Sequence, residues 1–395
     1  MTPPFISGMG AVSSLGLSTR ETLDSFRAAR RAPGPLTLFE SPLDLPVFEA
    51  TGFPASHPYT DGVRTLELAL HAAREALADA ALIPAALAPA RVGVCLGTTV
   101  ASQLNDLEFY RSFKSTGAAS MAPVRRYLKG TLADAVAAHF SVDALTATVT
   151  NACSSGADAI AIGAQWIDAG LCDLVLAGGA DELNRVPLAG FHALGICSPS
   201  PCAPFDKARR GLNLGEGAGI VLLESPAHAA ARGHAPALAL LGHGAACDAH
   251  HLTTPHADGR GLREALRQAL ASAGVAPGQI AFVNAHGTGT EDNDLVEGNA
   301  LAALFGPALP VLSTKGYTGH TLGAAGGLEA VFTALALREG WLPPSIGFCD
   351  QDDRIPISPL RQHTQIHGRF AISTSLAFGG NNTALLLGLT GPAAS

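Results

Sequence analysis

Aromatic side chains are scarce in this chain of 395 residues, at 6%, and charged ones make up only 15%. So little aromatic bulk argues against a sandwich of strands packed through large side chains. The 44 glycines and the abundant alanine suit helices lying close on sheets, and 47% hydrophobic content allows a large core in two domains or one duplicated domain. A basic tail or Lys/Arg stripe is missing and the formal charge is −8, which argues against nucleic acid as a partner. Long apolar runs are missing as well: Gly, Asp or His breaks each one before the roughly 18 residues that a membrane span needs. The first residues, Met-Thr-Pro-Pro-Phe-Ile-Ser-Gly-Met-Gly, have neither a charged n-region nor an apolar h-region, so no signal peptide is expected and the chain is expected to stay in the cytoplasm. The 7 cysteines are odd in number and have no regular spacing, which argues against a disulfide framework. Cys197 and Cys202 lack the second pair that a zinc site needs.

What is present is a βα rhythm. Strand-like runs end in Gly-rich turns and give way to helical periodicity, as at 92–96 before Gly97-Thr98-Thr99 and at 174–177 before Gly178-Gly179. Helices are predicted over 64–80, 154–169, 261–273 and 327–339, each with an Ala/Leu-rich face. The stretch 225–236, with prolines at both ends, reads as a crossover. After it the rhythm restarts through strand 237–241, helix 261–273, strand 280–284 and helix 295–305. We therefore expect two similar halves, 1–230 and 231–395, with no clear residue-level repeat. A duplicated α/β fold brings strand ends of both halves around one shared site.

The most informative motif is Asn151-Ala152-Cys153-Ser154-Ser155-Gly156. A strand-like run, 146–150, feeds into Cys153 and a helical pattern leaves it. The thiol is therefore expected at a helix N-terminus, where free N–H groups and the helix dipole lower its pKa and favour the thiolate. A structural cysteine at a tight turn would fit the same pattern. The small neighbours tilt the reading to a nucleophile, because they leave room for a substrate that exchanges one thioester for another.

His286 follows the strand-like 280–284 at the head of Gly287-Thr288-Gly289-Thr290, where glycines admit a ligand to the backbone and the threonines offer hydroxyls to an extended polar arm. His320 follows strand 310–313 and precedes a small-residue helix. Hydrolysis needs one base only. A second imidazole finds work in decarboxylation of a malonyl group, where two Nε2–H donors stabilise the developing enolate. Lys315 and Glu329 can form a buried pair that orients the histidines, or an ordinary ion pair. Phe378, in a fourth Gly-rich loop after strand 370–374, can add its N–H to that of Cys153 as an oxyanion hole while its ring gates a pocket. Cys247, Asp248, His250, His251 and His256 form the best alternative metal cluster. Adjacent histidines on an extended segment point apart, however, so an entrance-loop role is favoured. Asp292, Asp294 and Glu297 read as charges capping the next helix.

With these motifs in this order, the chain resembles the β-ketoacyl-acyl-carrier-protein synthases of the type I/II condensing-enzyme branch, within the thiolase-like superfamily. The likeness runs over nearly the whole chain and includes Pro204-Phe205-Asp206-Lys207 with Gly215-Glu216-Gly217-Ala218-Gly219, besides the loops of Cys153, His286, His320 and Phe378. It implies an α/β, thiolase-like fold of five layers, αβαβα, with two pseudo-duplicated halves. It further implies that Cys153 takes the acyl primer, that His286 and His320 drive malonyl decarboxylation and condensation with Lys315 and Glu329 in support, that Thr253, Thr288 and Thr290 contact pantetheine, and that Phe378 is a gate. An acyl carrier protein would deliver substrates on its phosphopantetheine, without metal or redox cofactor, to a homodimer or a heterodimer with a related synthase or chain-length-factor subunit.

Carrier docking calls for positive charge near the mouth, for which Arg64, Arg125, Arg126, Lys129, Arg209 and Arg210 are candidates. Arg209-Arg210-Gly211-Leu212-Asn213 stands where the resembling family has an acidic residue and then Gly-Phe, and Leu376-Ala377 replaces a commoner Phe-Gly, so the acyl pocket or its gate is expected to differ. The run Phe378-Gly379-Gly380-Asn381-Asn382 is similar to synthases of aryl-polyene-type pathways. A degradative thiolase would carry a second cysteine in a Gly-rich motif near its C-terminus, and nothing after Cys349 supplies one. The initiating class pairs Cys with His and Asn, where this chain has His320. The remaining alternative is a non-catalytic chain-length subunit, against which the retained Cys153, His286 and His320 argue.

Overall fold

The computed structural model describes residues 3–53, 63–87, 89–99 and 107–391. The first half runs β1 (Phe5–Ser13), α1 (Thr19–Arg27), α2 (Arg64–Asp79), β2 (Val92–Gly97), α3 (Leu107–Thr116), α4 (Ala122–Lys129), α5 (Leu132–His139), β3 (Ala144–Val149), α6 (Ser155–Asp168), β4 (Leu174–Asp181), α7 (Arg185–Ala193), β5 (Gly217–Glu224) and α8 (Pro226–Ala231). The second runs β6 (Leu238–Cys247), α9 (Arg260–Ala273), β7 (Ile280–Asn284), α10 (Glu291–Phe305), β8 (Val311–Leu312), α11 (Lys315–Thr318), α12 (Ala325–Glu339), β9 (Trp341–Leu342), β10 (Thr364–Gln365), β11 (Phe370–Ala377) and β12 (Asn381–Leu389). Helix α10 starts at Glu291 rather than 295, because Glu291, Asp292 and Asp294 favour the positive end of a helix and fill its first turn. The crossover expected at 225–236 contains the short α8.

A 10-stranded sheet has the order β3-β2-β4-β5-β1-β6-β12-β11-β7-β8. Read outward from the seam between β1 and β6, both halves follow one plan. Each has its own first strand at the seam, then its last strand, antiparallel to its neighbours, then three parallel strands, β4-β2-β3 in one half and β11-β7-β8 in the other. The duplication that the residues conceal is plain in this connectivity.

The layers follow from which helix faces are apolar. Helix α2 covers one face of the first half and α9 the outer face of the second, while α6 and α12 lie between, with α12 touching strands of both. Every residue of α12 from Ala325 to Leu337 is buried, as an all-round apolar helix in a central layer must be. These are the five layers αβαβα that the family resemblance implies. The two middle helices nearly touch: a Cβ at Gly156 would lie 2.7 Å from the Gly323 oxygen and 2.7 Å from the Gly327 nitrogen, so only glycine fits there. Each starts from the same device, a 3-10 turn, at Ala152–Ser154 before α6 and Leu322–Ala324 before α12. The shared device brings Cys153 and His320 to the same end of the middle layer. Among the described residues no helix is long and apolar enough to cross a membrane.

Candidate active site

Cys153, His286, His320 and Phe378 line one cleft of about 430 Å³. The His320 Nε2 lies 3.0 Å from the Cys153 sulfur, and the two imidazoles sit edge to face, with centroids 5.3 Å apart and planes at 86°. The backbone N–H of Phe378 lies near enough to the thiol to help lower its pKa. Its ring stacks on Phe191 at 5.4 Å and 14°.

Hydrogen bonds on the far side of each ring fix the protons. The Leu322 N–H can only donate, and it reaches His320 Nδ1 at 3.3 Å. The Lys315 ammonium reaches His286 Nδ1 at 3.0 Å. Both Nδ1 atoms therefore accept, which leaves the proton of each neutral ring on Nε2. Lys315 spends its other protons on the His286 carbonyl at 2.7 Å and on Glu329, in a short contact. The Lys315–Glu329 pair is thus buried, but it orients His286; His320 is set by the backbone instead.

Burial raises the Cys153 thiol to about 11, only partly opposed by Lys315 and the Phe378 N–H. This overturns the expected depression by a helix N-terminus. The α-helix proper starts at Ser155, and Cys153 sits in the preceding 3-10 turn, 5% exposed. Burial, with the Lys315 charge, also holds His286 and His320 well below the ordinary histidine range, so both are neutral donors at pH 7. Burial pushes the Glu329 carboxyl up, against the pull of Lys315.

A model of the β-ketoacyl synthase N-terminal domain matches residues 5–229, and one of the C-terminal domain matches residues 238–349. The chain belongs to the β-ketoacyl synthase family. It is a carbon–carbon bond-forming acyltransferase of that family. A curated relative, the 3-oxoacyl-[acyl-carrier-protein] synthase 2 of Mycobacterium bovis, is 34% identical over 310 residues, covering 75% of this chain and 74% of the relative. The solved ishigamide ketosynthase/chain length factor is similar at a TM-score of 0.92 and 33% identity, over 98% of this chain and 99% of that one. The ketosynthase (ApeO) in complex with its chain length factor (ApeC) from Xenorhabdus doucetiae is similar at 0.82 and 30%, over 98% of each chain.

The synthase cleft also takes in Thr253, Thr288 and Thr290, the last two joined hydroxyl to hydroxyl at 2.8 Å. The carrier candidates divide. Arg210 is exposed at the cleft and Arg125 is exposed on α4, whereas the side chains of Arg126 and Lys129 lie outside the described residues. Arg209 is a correction: its side chain is 2% exposed, pairs with Asp352 at 2.7 Å and braces the Asp206 and Thr290 carbonyls. Arg64 is another, held by Glu216 at 2.5 and 2.7 Å. The 247–256 segment forms one lip, where Asp248 is taken up by the N–H groups of His256 and Gly261 at 2.9 and 3.0 Å.

Three acidic residues do more than the sequence suggested. Glu297 is completely buried and accepts from the N–H groups of His286 and Gly287, both at 2.8 Å, and from Thr374 at 2.7 Å. Asp294, equally buried, accepts from Gly289 at 3.2 Å and Phe205 at 2.6 Å. They fasten the His286 loop instead of merely capping α10. Asp181 does the same for the second turn, accepting from Gly323 at 2.6 Å. Phe191 had no sequence signal at all; for the carboxylates, the clue was their spacing of 8 and 11 residues beyond His286 on a helix facing back to the loop.

Proposed function

We propose that this synthase condenses an acyl thioester, carried on Cys153, with a malonyl group on an acyl carrier protein. The first half, 1–230, would carry the nucleophile and the second, 231–395, the two imidazoles and the gate. The observation that carries the reading is the pair of Nε2–H donors, on His286 and His320, that open on the same cleft as the Cys153 sulfur. In the first half-reaction the sulfur attacks the acyl carbonyl. The oxyanion is held by the N–H groups of Cys153 and Phe378, and the carrier thiol leaves with the proton that Cys153 gives up. In the second, the malonyl C–C bond breaks, carbon dioxide leaves, and the enolate oxygen takes hydrogen bonds from both imidazoles. The enolate carbon then attacks the Cys153-bound acyl group and the sulfur is released. Neutral rings suit this work: a ring that already carries its proton on Nε2 stabilises an oxyanion without first competing for a proton.

Sulfur and two imidazoles suffice for these steps, so the reading calls for no metal or redox group. Thr253, Thr288 and Thr290 would hold the pantetheine arm, and Arg210 and Arg125 are the carrier contacts that remain among the described side chains. A chain-length-factor subunit is the partner supported by the two similar ketosynthase structures, and a second copy of this chain is the alternative. A cytoplasmic setting agrees with seven free cysteines. Intact-protein mass spectrometry after incubation with an acyl carrier substrate tests the proposal. Wild type is expected to gain one acyl mass and Cys153→Ala none; an unmodified wild type would point to a non-catalytic subunit.

A further inference from the structure

We propose that Asn381 and Asn151 form an amide clasp that fixes the loop of Phe378 against the turn of Cys153, making Asn381 a positioning residue for acyl transfer. The inference rests on the synthase reading given above. Asn381 opens β12, three residues after Phe378, and its Nδ2 donates to Asn151 Oδ1 at 2.6 Å across 230 residues of chain. The Asn151 Nδ2 donates to Asp158 Oδ2 at 2.7 Å. Asp158 also accepts from the Ser154 hydroxyl at 2.8 Å and, on its other oxygen, from Thr383 of β12 in a short contact.

The direction of this chain is dictated by its end. A carboxylate only accepts, so Asn151 must turn its NH₂ to Asp158 and its oxygen to Asn381, and Asn381 must then answer with a donor. The clasp grips both sides of the nucleophile, since Asn151 and Ser154 flank Ala152-Cys153. It also ends where the gate loop ends: Gly379 and Gly380, at φ 87° and 78°, separate Phe378 from Asn381, which is the first residue past the gate with a side chain able to anchor it. On the other strand of this link Ala152 stands at φ 49°, a conformation that a non-glycine residue keeps only when its surroundings hold it. Freeing Asn381 therefore lets the Phe378 N–H drift from the sulfur it serves.

Cys153 alkylation by iodoacetamide, followed against pH and resolved by mass spectrometry, reads that distance without requiring turnover. Asn381→Ala removes the donor, and Asn381→Asp keeps the size while presenting an acceptor to an acceptor. Both are expected to slow alkylation about fivefold at fixed pH, the worth of one hydrogen bond, and to displace the profile upward. The other groups facing the sulfur, Lys315, His286, His320, Asp181 and Glu329, are unchanged in these variants. The kcat for transacylation should fall with KM for the acyl carrier unchanged, and Asn151→Ala combined with Asn381→Ala should slow alkylation no further than Asn151→Ala alone, which already removes the clasp together with the bond to Asp158. Profiles that superimpose on wild type in both variants, or single effects that multiply in the double variant, overturn the clasp. Failure of the synthase reading shows separately, as a wild type that alkylates but takes no acyl group.

Discussion

Two turns occupy equivalent places in the two halves, 151–154 ahead of α6 and 321–324 ahead of α12, and both pass through a left-handed non-glycine residue, Ala152 at φ 49° and Leu322 at φ 54°. The residue that follows is Cys153 in one and Gly323 in the other. A Cβ at Gly323 would lie 2.8 Å from the Asp181 carboxylate and 2.8 Å from the Thr98 backbone, whereas the Cys153 side chain meets a cleft. The repeated backbone thus offers two similar positions, and only one opens on the cleft. The second half contributes instead from the residues around its turn, through His320 just before it and His286 on the neighbouring strand end. Each turn is also fastened by the opposite half: Asp181 holds Gly323, while Asn381 and Thr383 hold Asn151 and Asp158. Duplication supplied the frame, and the chemistry depends on the two copies being filled differently.

The comparison breaks most severely where the second half keeps its buried charges. In Lys315→Met, Glu329 loses its partner and His286 its Nδ1 donor. Removing one member of a buried pair costs about 3 kcal/mol or more. We expect a large fall in melting temperature together with loss of condensation. A variant that melts with wild type would mean that the pair does not support the fold.

The next effect separates the two turns directly. Gly323→Ala should cost about 1–3 kcal/mol, because backbone and a hydrogen-bonded carboxylate must move to admit one methyl group. Cys153→Ala, at the equivalent position, should melt within a few degrees of wild type while losing all acylation. Equal melting temperatures for the two variants would show that the turns are less different than their surroundings suggest.

The thiol itself sharpens the contrast between burial and helix position. With the Cys153 pKa raised to about 11, the folded protein favours the protonated thiol, an advantage present below the ordinary thiol pKa and lost as pH rises through about 11. Its alkylation should climb about tenfold per pH unit from pH 7 to 10. A rate flat over that range would indicate a thiolate already formed and would restore the helix-dipole reading. Site-resolved detection is needed, since Cys247 and Cys349 are exposed.

The βα rhythm, most helix boundaries and the meeting of Cys153 with two histidines were legible because each rests on local signals: periodicity, Gly-rich strand ends and reactive residue types; the five layers came from the family resemblance. The thiol pKa was misjudged because a strand-to-helix pattern does not reveal whether a 3-10 turn intervenes or how deeply the sulfur is buried. Arg64 and Arg209 were misplaced for a related reason. A charge in sequence looks solvated until its partner, Glu216 or Asp352, is brought to it from 152 or 143 residues away. Glu297 and Asp294 were read as helix caps because their acceptors' true donors, the N–H groups of the His286 loop, lie outside the helix they begin.

The smallest expected effect concerns the feature that the turns share. Alanine in the left-handed region costs about 1–2 kcal/mol, and replacing it by glycine relieves that strain but loosens the unfolded chain by about 0.4–1 kcal/mol. Ala152→Gly should therefore change the melting temperature by only about 2 °C, upward if at all. Its acylation rate is the informative number. Strain that the Asn151 and Asp158 hydrogen bonds merely tolerate would vanish without consequence, and acylation would hold at the wild-type rate. We expect a slowing of a few fold instead, because glycine gives Cys153 a choice of backbone conformations where alanine and its clasp allowed one. In that case the strained residue serves to aim the sulfur, a role that Leu322, followed by a residue with no side chain to aim, has no occasion to play.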